Sequence, residues 1–220
     1  MIETVQIRPS QSPSNIDQAP LSLKTALRYT FILMKPHTWF APAWAFMVGA
    51  VASHSVYINI FQDPLLAIGN IGRVALGVGM AGPLLTGFSQ VINEYCDRDV
   101  DAINQPDRLI PSGKVGRTHV MIALVVLLVM ALGAAAFLGS GVFWVTLLGV
   151  ALALAYSMPP LPLKRNGWDG TFAVAIAYEG LAWIAGHLAF QMPISSVSLW
   201  PALLYSICTH GIMTSTTLSV

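Results

Sequence analysis

The sequence predicts an all-α membrane protein, a bundle of about six transmembrane helices behind a polar N-terminal tail. Three observations predict it. Of 220 residues, 55% are hydrophobic and only 10% are charged, where soluble domains carry about 25% charged residues. The mean hydropathy is +0.66. The apolar residues gather in six runs, at 38–60, 71–95, 120–138, 142–158, 171–190 and 197–214, each near the ~20 residues that cross ~30 Å of hydrocarbon as a helix.

Residues 1–28 are polar and rich in Pro, Ser and Gln. Such a segment cannot bury enough surface to fold alone, so it is expected to be a disordered tail, with the membrane domain occupying 29–220. No signal peptide is expected, because no compact apolar core followed by small residues occurs there. Residues 21–34 turn amphipathic, with Lys24, Arg28 and Lys35 on a basic side, and read as an interfacial helix. Glycines crowd the second run (Gly72, Gly77, Gly79, Gly82, Gly87), which suits close helix packing in lipid. Gly139, Ser140 and Gly141 alone separate the third and fourth runs, so these form a tight antiparallel hairpin.

The charges orient the bundle. Of the 11 basic residues, all but Arg73 fall in the segment before the first run, between the second and third, or between the fourth and fifth. Those segments share one face, which the positive-inside rule makes cytoplasmic. The two cysteines, Cys96 and Cys208, lie far apart and are read as reduced packing residues. No basic stretch interleaved with aromatics suggests a nucleic-acid partner.

The densest acidic cluster lies on that same face, in Asn93-Glu-Tyr-Cys-Asp97-Arg-Asp-Val-Asp101 at the end of the second run. Asn93, Asp97 and Asp101 recur every four residues, which on a helix stacks them on one side about 6 Å apart. Three oxygen-bearing side chains so placed are candidate ligands for a hard cation such as Mg²⁺. Arg108 and Lys114 follow in the next loop, and Lys164 and Arg165 in the loop after the fourth run. Carboxylates beside cations at a membrane surface point to an anionic ligand bridged by a divalent metal. A diphosphate on an allylic lipid chain fits, because shared metal and Lys/Arg contacts make it a better leaving group. Glu179, in the middle of the fifth run, is an ionisable group in the membrane and therefore a candidate functional residue. Its neighbour Tyr178 could present an aromatic face to a developing carbocation.

The stretch from Asn93 through Asp97, Asp101, Asn104, Pro106, Arg108 and Pro111 to Gly113 resembles the first Asp-rich motif of the UbiA-type intramembrane prenyltransferases. It is most similar to their chlorophyll and bacteriochlorophyll synthase branch. Lys35-Pro-His-Thr-Trp-Phe, Tyr156-Ser-Met-Pro-Pro and Tyr178-Glu-Gly-Leu-Ala-Trp183 carry the same resemblance. It implies Mg²⁺-dependent transfer of a geranylgeranyl or phytyl group from its diphosphate to the propionate of a (bacterio)chlorophyllide. Asn93, Asp97 and Asp101 would bind the metal and diphosphate; Arg108, Lys114, Lys164, Arg165, Tyr178 and Glu179 would contact substrate. The membrane would be a bacterial inner, intracytoplasmic or other photosynthetic membrane.

The resemblance also implies nine helices and a second Asp-rich motif. No carboxylate follows Glu179, and the chain continues past Thr214 as Ser-Thr-Thr-Leu-Ser-Val220. The expectation is therefore an incomplete version of the nine-helix prenyltransferase fold, with one metal motif instead of two and little activity of its own. Two alternatives stand beside it: a prenyltransferase acting on a quinone precursor or haem, and a non-catalytic membrane fragment that binds pigment or isoprenoid.

Overall fold

The computed structural model describes residues 21–56, 59, 61–160 and 162–218. Among them the regular structure is helical, with α1 (Leu23–Leu33), α2 (Phe40–Ala52), α3 (Pro64–Gly79), α4 (Gly87–Asn104), α5 (Arg117–Leu138), α6 (Ser140–Ser157), α7 (Gly167–Ala175), α8 (Ala182–Leu188) and α9 (Ser196–Leu218). Wider π-helical turns, Met80–Thr86 and Ile176–Leu181, join α3 to α4 and α7 to α8 without breaking the rod. The first follows from Pro83, which lacks an N–H and crowds the preceding turn. Thr86 Oγ1 donates to Ala81 O at 2.8 Å, five residues back.

Among the described residues, four helical rods are long and apolar enough to cross a membrane: Pro64–Asn104, Arg117–Leu138, Ser140–Ser157 and Gly167–Leu188. The other two expected spans differ. α2 has 13 residues, which at 1.5 Å per residue reach about 20 Å. α9 has 23 residues but intersperses Ser, Thr and His among its apolar side chains. Residues 23–28, expected to belong to the tail, are helical, in α1, which Ser22 caps by accepting from Thr25 N. Residues 1–20 lie outside the described residues. The α5–α6 hairpin closes through Gly139 alone, at φ 137°, a conformation that only glycine adopts freely.

Two buried clusters hold the bundle. One, near the acidic end, packs Leu33 of α1, Phe88, Val91 and Ile92 of α4, Val120 and Leu124 of α5 and Val150 of α6. The other, at the opposite end, joins Phe46, Met80, Ala135, Leu138, Val142 and Ala185. α2 and α8 cross with backbones nearly touching: a Cβ on Gly49 would strike the Trp183 carbonyl, and one on Gly186 the Phe46 carbonyl. Arg73, the one basic residue off the charged face, serves that far end. It donates to Leu138 O at 3.0 Å and Ala189 O at 3.2 Å, satisfying the ends of α5 and α8.

Candidate active site

The acidic motif forms the last turns of α4. Polar residues are tolerated there because the helix leaves the bundle and meets two loops that bring cations. The α6–α7 loop carries Lys164, whose Nζ donates to Asn93 Oδ1 at 2.9 Å and to Asp97 Oδ1 at 2.5 Å. Ser157 Oγ donates to the same Asn93 oxygen at 3.3 Å. The oxygens of Asn93 and Asp97 therefore converge on one cation. Arg165 is exposed and lines the same recess, with Cys96, Pro159 and Pro162.

Asp101 stands one turn further on and belongs to a second network. Arg108 donates to Asp101 Oδ2 at 2.8 Å, to Glu94 Oε1 at 3.0 Å and to Gln105 Oε1 at 2.6 Å. Lys35, between α1 and α2, reaches the same Glu94 oxygen at 2.6 Å. Thus the expected triple is divided: Asn93 and Asp97 face Lys164, while Asp101 pairs with Arg108. Lys114 is exposed and outside both networks. Glu94, with its side chain 7% exposed, is a hub that sequence reasoning did not single out. Its signal was its spacing of seven from Asp101, two full turns, which places both on one side of the helix.

Behind the recess lies a cavity of about 290 Å³ lined mainly by apolar residues of α2, both π-turns, α6 and α7–α8. Asn93 and Tyr156 line both spaces, so the polar recess and the apolar cavity adjoin at these two residues. Tyr178 lies in the cavity wall, where its Oη accepts from Gln90 Nε2 at 3.1 Å. Glu179 is 4% exposed and does not line the cavity. It interacts with Tyr205 of α9, so it lies between helices rather than in the recess.

The sequence profile of the UbiA prenyltransferase family matches residues 63–219. The chain belongs to the UbiA prenyltransferase family. Among its relatives, the bacteriochlorophyll synthase 34 kDa chain of Chloroflexus aurantiacus is 50% identical over 214 residues, covering 95% of this chain and 64% of that protein. The bacteriochlorophyll synthase 33 kDa chain of Rhodobacter capsulatus is 43% identical, covering 83% and 58%. Chlorophyll synthase of Arabidopsis thaliana is 40% identical, covering 82% and 46%. The chain thus spans less than two thirds of these relatives' lengths. A UbiA homologue from Archaeoglobus fulgidus, solved with DMAPP and Mg²⁺, superposes with a TM-score of 0.66 over 83% of this chain and 60% of that one. At 19% identity that likeness is one of fold. Family and apolar helices together make the chain an integral membrane protein.

The residues of the recess fit a magnesium ion. One amide oxygen and one carboxylate converge on a single point, which the Lys164 ammonium occupies as a cation would. Mg²⁺ takes one or two carboxylates and completes its octahedron with water and ligand phosphate.

Proposed function

We propose that this chain transfers a geranylgeranyl or phytyl group from its diphosphate to the propionate of a chlorophyllide or bacteriochlorophyllide, with Mg²⁺ as cofactor. The observation that carries this reading is the junction of a charged recess with an apolar cavity through Asn93 and Tyr156. A prenyl diphosphate has that same division between an anionic head and a hydrocarbon tail. The relatives named as bacteriochlorophyll synthases support a pigment acceptor. The charge asymmetry supports a cytoplasmic position for the recess.

Asn93 and Asp97 are the two ligands the geometry offers for the metal, since Asp101 and Arg108 neutralise one another. When bound, Mg²⁺ supplies positive charge for the oxygens of the departing diphosphate. Lys164 and Arg165 add cations on the same side of the recess. Tyr156 and Tyr178 offer aromatic faces for positive charge developing on the allylic carbon. The apolar wall excludes water that would capture that carbon. The bond from the allylic carbon to the diphosphate oxygen breaks, and the propionate oxygen forms its ester bond with the same carbon.

The test is Mg²⁺-dependent prenyl transfer by the chain in nanodiscs, with chlorophyllide, bacteriochlorophyllide and 4-hydroxybenzoate as acceptors, alongside direct binding of prenyl diphosphate. Esterified pigment with no prenylated benzoate is the expected result, at the low level that one Asp-rich motif in place of two implies. Preference for the benzoate moves the chain to the quinone branch. Pigment or isoprenoid binding without transfer supports the non-catalytic alternative, and absence of diphosphate binding removes the reading.

A further inference from the structure

Resting on the prenyl-transfer reading above, we propose that Met80 and Thr146 form a floor that sets the length of the prenyl chain at four isoprene units. The cavity is a slot running along the helices. On α4 and its π-turn it extends from Asn93 at the polar mouth to Met80, a drop of about 20 Å at 1.5 Å per residue. On α6 it extends from Tyr156 to Val145, about 16 Å by the same rise. A geranylgeranyl chain stretched at carbon–carbon bond lengths of about 1.5 Å measures about 19 Å. The slot's depth is within a few ångströms of that chain's length.

The floor is firm. Met80 and Thr146 are 1% and 2% exposed, and Thr146 Oγ1 donates to Met80 Sδ at 3.6 Å. That bond holds the flexible methionine across the end of the slot. Beneath it Phe46 and Val142, both 0% exposed, complete a packed layer across that end of the slot. Gly149 stands midway along the α6 wall, where a side chain would enter the slot beside Leu85.

The test is displacement of radiolabelled geranylgeranyl diphosphate, with Mg²⁺ present, by unlabelled geranyl, farnesyl, geranylgeranyl and geranylfarnesyl diphosphates. The full chain is used in nanodiscs. In the wild type, affinity should rise to geranylgeranyl and fall for geranylfarnesyl. Met80→Ala should open the floor and favour geranylfarnesyl by about tenfold, from the methylenes newly buried. Gly149→Leu plugs the slot halfway; it should weaken geranylgeranyl by about tenfold or more while sparing geranyl. The second variant leaves the floor untouched, so it informs even if Met80→Ala does not fold. Diphosphate binding whose chain-length order neither variant moves overturns the floor alone. No binding of any diphosphate by the wild type overturns the prenyl-transfer reading and the floor with it.

Discussion

Lys164 Nζ lies 2.9 Å from Asn93 Oδ1, spanning the gap between the α6–α7 loop and the last turns of α4. The same ammonium is bonded to Asp97, so one lysine holds both of the oxygens proposed as metal ligands. Lys164→Met should therefore act in two opposite directions. Removing the competing charge should tighten binding of Mn²⁺ alone, read by electron paramagnetic resonance, about threefold or more. Removing a charge-assisted donor worth about 1.5–3 kcal/mol should weaken prenyl diphosphate at saturating Mg²⁺ by about tenfold or more. Two changes of the same sign would refute the shared position.

Glu94 accepts from both Lys35 and Arg108 with its side chain 7% exposed. Truncating one member of a buried ionic cluster costs about 3–5 kcal/mol, because the remaining charges lose their partner. Glu94→Ala should lower the thermal midpoint in detergent strongly, and Glu94→Gln, which keeps an acceptor oxygen, less. Equal midpoints for wild type and Glu94→Ala would show that the cluster does not hold the loops to α4.

Arg73 closes the opposite end of the bundle by capping two helices. Lysine cannot reproduce two divergent guanidinium bonds. Arg73→Lys should recover only part of the stability lost in Arg73→Met, a loss of about 1.5–3 kcal/mol per charge-assisted bond. Full recovery by lysine would mean that charge alone matters there.

The α2–α8 crossing depends on two glycines with no room for a Cβ. Gly49→Ala and Gly186→Ala should each reduce the yield of monodisperse protein. Gly72→Ala and Gly133→Ala meet nothing within 4 Å and should be silent. A destabilised control with an intact Gly186→Ala protein would contradict the crossing.

Orientation has its own measurement. In a background with Cys96 and Cys208 replaced, a cysteine at Lys114 should react with an impermeant thiol reagent from the cytoplasmic side. A cysteine at Phe61, in the α2–α3 connection, should react from the other side. Labelling of both from one side would undo the charge-based assignment.

Hydropathy and charge determined the membrane class, the α5–α6 hairpin and the end of the bundle that carries the motif. These are properties of single segments: a run of apolar residues, a glycine between two runs, a count of Lys and Arg. The four-residue spacing likewise placed Asn93, Asp97 and Asp101 on one side of α4. Tertiary structure decided which cation meets which oxygen. Lys164 reaches Asn93 and Asp97, and Arg108 and Lys35 converge on Glu94, because loops distant in sequence fold over the same helix end. The turn of Glu179 toward α9, the capping role of Arg73 and the depth of the slot above Met80 are of the same kind. Periodicity shows which face a side chain occupies on its own helix. Only the packing of several helices decides whether that face meets a cavity, a neighbour or lipid.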